Sequence, residues 1–168
     1  MKIQQLLISG IAASLLFSGM ASADGGGHKE VLPDETIIGI SLLSSLITYF
    51  LIPKISKFEL NNEQRLVSSL IMFTVVVHAI LGIDDLKLLA GAAGFLGFGV
   101  VFFVLEIPIV ENNRKNLSYL FTVYTLAIVI FYVYLHPDLM KDGSYDLVGI
   151  LTKISEIGII VLTIKKLN

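Results

Sequence analysis

The 168 residues include no cysteine and few charges, 15% against 55% hydrophobic. Without cysteine there is no disulfide, thiolate metal site, cysteine-ligated cluster or cysteine nucleophile. A soluble domain carries about a quarter charged residues, so this composition, with mean hydropathy +0.83, excludes an ordinary soluble protein. A net charge of -2 gives no electrostatic reason to bind a phosphate backbone, which argues against nucleic acid as a partner. Chemical motifs are missing as well. The chain has no Walker loop, nucleophile elbow, strand-borne Rossmann glycine pattern or paired-carboxylate motif. The glycines at 91–99 stand inside an apolar run with no strand before them, a context that rules out phosphate cradling.

What is present is long apolar segments. Met1-Lys2, the run Leu6 to Phe17 and Ala21-Ser22-Ala23 match the parts of a secretory signal, with cleavage expected after Ala23. The alternative, an uncleaved first span over Ile8 to Met20, is short for a hydrocarbon core of about 30 Å. Residues 24–35 then form a polar extracytoplasmic tail containing His28. Five spans are expected over Thr36–Ile52, Leu66–Ile83, Leu86–Val110, Leu117–His136 and Leu147–Ile164, each long enough to cross as a helix. The connections are too short for a separate core. The expected fold is therefore all-α: a polytopic bundle of five transmembrane helices, residues 36–168, after the leader.

Lysine and arginine near span ends stay on the cytoplasmic side. With the mature N-terminus outside, the inner segments hold Lys54, Lys57, Arg65, Arg114, Lys115, Lys165 and Lys166, against Lys29, Lys87 and Lys141 outside. This places the chain in the cytoplasmic membrane with its C-terminus in the cytoplasm, so the sequon at Asn116 stays unmodified. The outer edge is acidic, with Asp24, Glu30, Asp34, Glu35, Asp84, Asp85, Asp138, Asp142 and Asp146. Such a rim solvates the headgroup boundary, attracts cations or docks a basic partner surface.

In the third span, Ala90/Gly94 and Ala93/Gly97 form small-x-x-x-small pairs with Gly91 beside them, which lets helix backbones approach closely and marks this helix as the expected bundle centre. Ser41, Ser45 and Thr48 form a polar seam on the first span, and Ser118, Thr122, Thr125, Tyr132 and His136 another on the fourth. Ionisable residues inside spans are costly, so Glu106, Lys153, Glu156 and His78 stand out. Lys153 and Glu156, at i and i+3, share a face and neutralise each other. A proton relay through Glu156 needs a third partner at its depth, and Glu106 lies about 12 Å away along the normal. His78, His136 and Asp85 near the outer side, with His28 on the tail, are candidate ligands for copper or zinc, although no H-x-x-x-H or H-E-x-x-H spacing supports them.

The segments His78-Ala79-Ile80-Leu81-Gly82-Ile83 and Leu88-Leu89-Ala90-Gly91-Ala92-Ala93-Gly94-Phe95-Leu96 resemble a pattern in small four- or five-span archaeal membrane proteins. There a histidine and Leu-Gly close one helix and a glycine-rich helix follows directly. The resemblance implies a tight hairpin between the second and third spans, and no substrate or catalytic residue. These readings lead to a non-catalytic accessory or scaffold subunit with membrane-protein partners in the lipid bilayer and no predicted cofactor. The rival expectations are a small ion, proton or metal transporter using Glu156, Lys153 and Glu106, and an outward-facing His/Asp metal site.

Overall fold

The computed structural model describes residues 32–137, 140–141 and 144–167. The leader, His28 and most of the polar tail lie outside the described residues. Five long helices and one short one run in the order α1 (Asp34–Ile55), α2 (Asn62–Leu81), α3 (Leu86–Phe103), α4 (Pro108–Asn112), α5 (Arg114–Leu135) and α6 (Leu147–Leu167). Between α5 and α6, β1 (Met140–Lys141) pairs antiparallel with β2 (Ser144–Tyr145), Met140 opposite Tyr145. Every helix except α4 is long and apolar enough to cross a membrane. Their 18 to 22 residues span about 27–33 Å, matching a hydrocarbon core of about 30 Å. The protein is an all-α polytopic membrane bundle.

Local chemistry sets the helix ends. Asn61 and Gln64 form a reciprocal capping box, the Asn61 side chain accepting the Gln64 N–H at 2.9 Å and Gln64 Oε1 accepting the Asn61 N–H at 3.0 Å. This starts α2 at Asn62, one turn before the apolar run at Leu66. Asp85 caps α3 by accepting the Lys87 N–H at 2.9 Å. Asp146 caps α6 through the Gly149 N–H at 2.8 Å. The apolar stretch from Leu86 to Val110 is not one helix: α3 stops at Phe103, and α4 restarts the chain at Pro108. Proline disfavours helical backbone at Ile107, which is extended at φ −116°, ψ 114°.

Helix α2 occupies the centre, packed against α1, α3 and α6, while α5 rests on α6. The sequence pointed instead to the third span. The reason is in the side chains: α3 meets α5 through rings, not bare backbone. Phe95, Phe98 and Phe102 pack edge-on or tilted against Phe121 and Tyr124 at centroid distances of 4.7–6.2 Å. Aromatic pairs at such separations add packing energy but hold the helix axes apart. The outward surface is apolar, with Leu42, Phe50, Val123, Ile154 and Val161 all exposed, as a lipid-facing exterior requires. Of the predicted seams, Ser45 joins Ser69 across the α1–α2 interface at 2.7 Å. Ser41, Thr48, Thr122 and Thr125 instead bond to carbonyls one turn back on their own helices.

Candidate functional site

Ionisable side chains buried between membrane helices mark functional positions, and the described residues contain one cluster of them. Glu156 has no exposed surface, Lys153 is 9% exposed and His78 5%. Three residues apart on α6, Lys153 and Glu156 share a face, and Lys153 Nζ donates to Glu156 Oε2 at 2.6 Å. The contact of α2 with α6 adds His78, whose Nε2 stands 3.5 Å from Glu156 Oε1. That separation is beyond hydrogen-bonding range. Among the described residues, His78 Nδ1, Glu156 Oε1 and Thr74 Oγ1 are buried with no hydrogen-bond partner. Thr74 precedes His78 by one turn on α2, so all three atoms belong to the α2 and α6 pair.

Helix α3 supplies the back wall. A Cβ at Gly91 would sit 3.1 Å from His78 Nδ1, tighter than ordinary contact, so glycine leaves the imidazole its room. Phe95 packs beside the same ring at 5.8 Å between centroids. Tyr124 donates from α5 to the Gly91 carbonyl at 3.1 Å, tying the wall to the next helix. At Gly94 an added Cβ would fall on the Tyr124 hydroxyl.

The cluster continues toward one end of the bundle. Lys153 Nζ lies 5.1 Å from the Tyr132 ring centroid, a cation–π distance. Tyr132 donates to Asp146 Oδ2 at 2.8 Å, and Asp146 stands at the half-exposed start of α6. Glu156 is ten residues further on, about 15 Å along the helix. Polar groups thus run from the acidic end inward through Asp146, Tyr132, Lys153 and Glu156 to His78. Beyond Glu156 on α6 comes the buried Ile159, while Phe95 flanks His78 at the level of the cluster and α2 carries the buried Ser68 and Ser69. Lys153 and Glu156 cancel in charge, which is what lets either sit in a dry interior.

The other expected site residues lie elsewhere. Glu106 is exposed in the connection between α3 and α4, outside the helix, because α3 ends at Phe103. Asp85 serves as the α3 cap. His136 is exposed past the end of α5, stacked on the Tyr132 ring at 4.9 Å. Among the described residues, no three His, Asp or Glu side chains come together to hold a metal. Of the small residues on α3, Gly91 is buried, Ala90 and Gly94 are half-buried, and Ala93 and Gly97 are exposed. Sequence reading did not join Asp146 and Thr74 to the site. Aspartate directly before the Leu-Val-Gly-Ile helix start was a legible cap signal, whereas nothing marked Thr74.

Five apolar helices around a buried ion pair define a multi-pass α-helical membrane protein. Comparison with protein-family models, with curated proteins and with solved structures finds no match for this chain.

Proposed function

We propose that this is a small proton-translocating protein of the cytoplasmic membrane, with Glu156 as carrier and His78 and Lys153 as the partners that exchange charge with it. The supporting observation is His78: it provides the third ionisable group at the depth of the Glu156 carboxylate, 3.5 Å away, with an unpartnered atom on each side chain. A proton entering past Asp146 is taken by Glu156 Oε1 or by the imidazole, and the protonated group then closes the gap as a donor. Lys153 keeps the resting cluster neutral. Release at the opposite end requires α2 and α6 to shift around the buried Ile159. In this reading the leader is removed, the N-terminus faces outward and the C-terminus is cytoplasmic, so uptake starts at the acidic outer rim.

Reconstituted vesicles with an internal pH dye test the proposal. Under an imposed proton gradient the protein should raise proton flux well above that of empty vesicles. Glu156→Gln and His78→Phe should each reduce the flux at least about tenfold, the loss expected when a positioned proton-transfer group is removed. Equal flux in the parent and Glu156→Gln proteins would end the reading.

A second reading, an accessory or scaffold subunit of a larger membrane complex, is favoured by the exposed Ala93 and Gly97 on the outward side of α3, where a partner helix could approach closely. A blue-native gel of gently solubilised membranes separates the two readings, since migration at the monomer mass alone excludes a stable assembly.

A further inference from the structure

At the basic end of the bundle, opposite the acidic rim, the helices leave a cleft of about 230 Å³. It lies between the first turns of α2 and α5 and the last turns of α3 and α6. Its walls are two-natured. Phe102, Phe103 and Phe121 give apolar surface, and Arg114 and Lys115 supply positive charge. The acid at this mouth, Glu63, is neutralised by Lys165 at 2.5 Å, so the two cations set the sign of the cleft. Arg114 is held in place: Nη2 donates to the Phe102 carbonyl at 3.3 Å, and the guanidinium lies 5.8 Å from the Phe58 ring centroid. One such bond leaves further N–H donors on its fork. Lys115 is exposed and makes no ion pair or hydrogen bond among the described residues.

We infer that this cleft binds an anionic phospholipid of the adjoining leaflet, its phosphate on Arg114 and Lys115 and the upper part of a chain on Phe102, Phe103 and Phe121. Level and charge both select this occupant. Helix α3 ends at Phe103 and α5 begins at Arg114, so the cations stand where the hydrocarbon gives way to headgroups, with rings directly below. Size agrees too, since pockets enclosing a drug-sized ligand run to about 300–1,000 Å³. A smaller cleft takes a headgroup and the start of a chain, leaving the remainder in the bilayer. Basic pockets between transmembrane helices recognise anionic headgroups in this way.

Native mass spectrometry of the protein released from nanodiscs of equal phosphatidylglycerol and phosphatidylcholine tests the inference. Two cations near the surface should give about a thirtyfold preference for phosphatidylglycerol. Lys115→Gln should reduce it to about fivefold, and Arg114→Gln with Lys115→Gln should remove it. Lys54→Gln with Lys57→Gln, at the same end but outside the cleft, should leave it unchanged. Arg114 also caps the end of α3, so if the double variant fails to fold, the exposed Lys115→Gln variant decides alone. Equal retention of the two lipids overturns the inference. So does equal loss in the Lys54 and Lys57 control, no change in Lys115→Gln, or displacement of the lipid by millimolar inorganic phosphate, which would identify the ligand as a free anion.

Discussion

Lys153 and Glu156 compensate each other in a space that solvates neither, so their worth depends on both being present. Removing one partner from a buried pair leaves a bare charge, at a cost of about 3–5 kcal/mol, whereas replacing both by apolar or neutral groups is often close to neutral. Lys153→Met should therefore lower stability by about 3 kcal/mol. Adding Glu156→Gln to that variant should restore most of it. Unfolding in mixed micelles, followed by circular dichroism, measures both, and additive losses would mean that the 2.6 Å bond carries no coupling. This pair was legible, because i and i+3 on one helix are neighbours whatever surrounds them. His78 stood out as an ionisable residue within a span, but its meeting with Glu156 was not legible: the two are 78 residues apart in sequence, and no local pattern says which faces of α2 and α6 meet.

Among the helices, α3 departs furthest from its sequence pattern. Its small residues suggested a close backbone seam, yet Gly94 makes room for the Tyr124 side chain, and Gly97 has nothing within 4 Å of an added Cβ. The two glycines should respond in opposite ways. Gly94→Ala displaces Tyr124, breaks its bond to the Gly91 carbonyl and should cost about 1–3 kcal/mol as overpacking. Gly97→Ala should range from neutral to about 1 kcal/mol more stable, the helix preference of alanine over glycine. The same micelle unfolding measures both, and equal losses would contradict the ring-mediated α3–α5 contact. Helix α6 adds a second case. Asp146→Ala removes the Gly149 cap and the acceptor of Tyr132, and should cost about 1–2 kcal/mol, nearly all of it shared with Tyr132→Phe only if the cap is negligible. A double-mutant cycle on melting temperature separates the cap from the tyrosine bond.

The described helices leave one acidic and one basic end, and α2, long and apolar enough to cross, separates Lys57 from Asp84. Because the chain has no cysteine, a single introduced thiol reports side without background. In intact cells a membrane-impermeant maleimide should label the Asp84→Cys variant, and the Lys57→Cys variant only after permeabilisation. Both positions are exposed, so burial does not confuse the result. Labelling in the reverse order would invert the proposed direction of proton entry while leaving the fold intact. The lipid cleft does not depend on this outcome, since it follows the basic end whichever way that end faces.

Span number, approximate span limits and the Lys153–Glu156 pair came from the sequence alone, because they depend on hydropathy summed along the chain and on helical spacing within one element. Glu106 falls outside the spans for a local reason, the break between Phe103 and Pro108. The tertiary structure decided that α2 is central, that His78 meets Glu156, and that four helix ends enclose a basic cleft. These depend on how helices rotate about their axes. In lipid an apolar face is equally at home outward or inward, so hydrophobic pattern alone does not select that rotation; side-chain packing and a few buried polar contacts do.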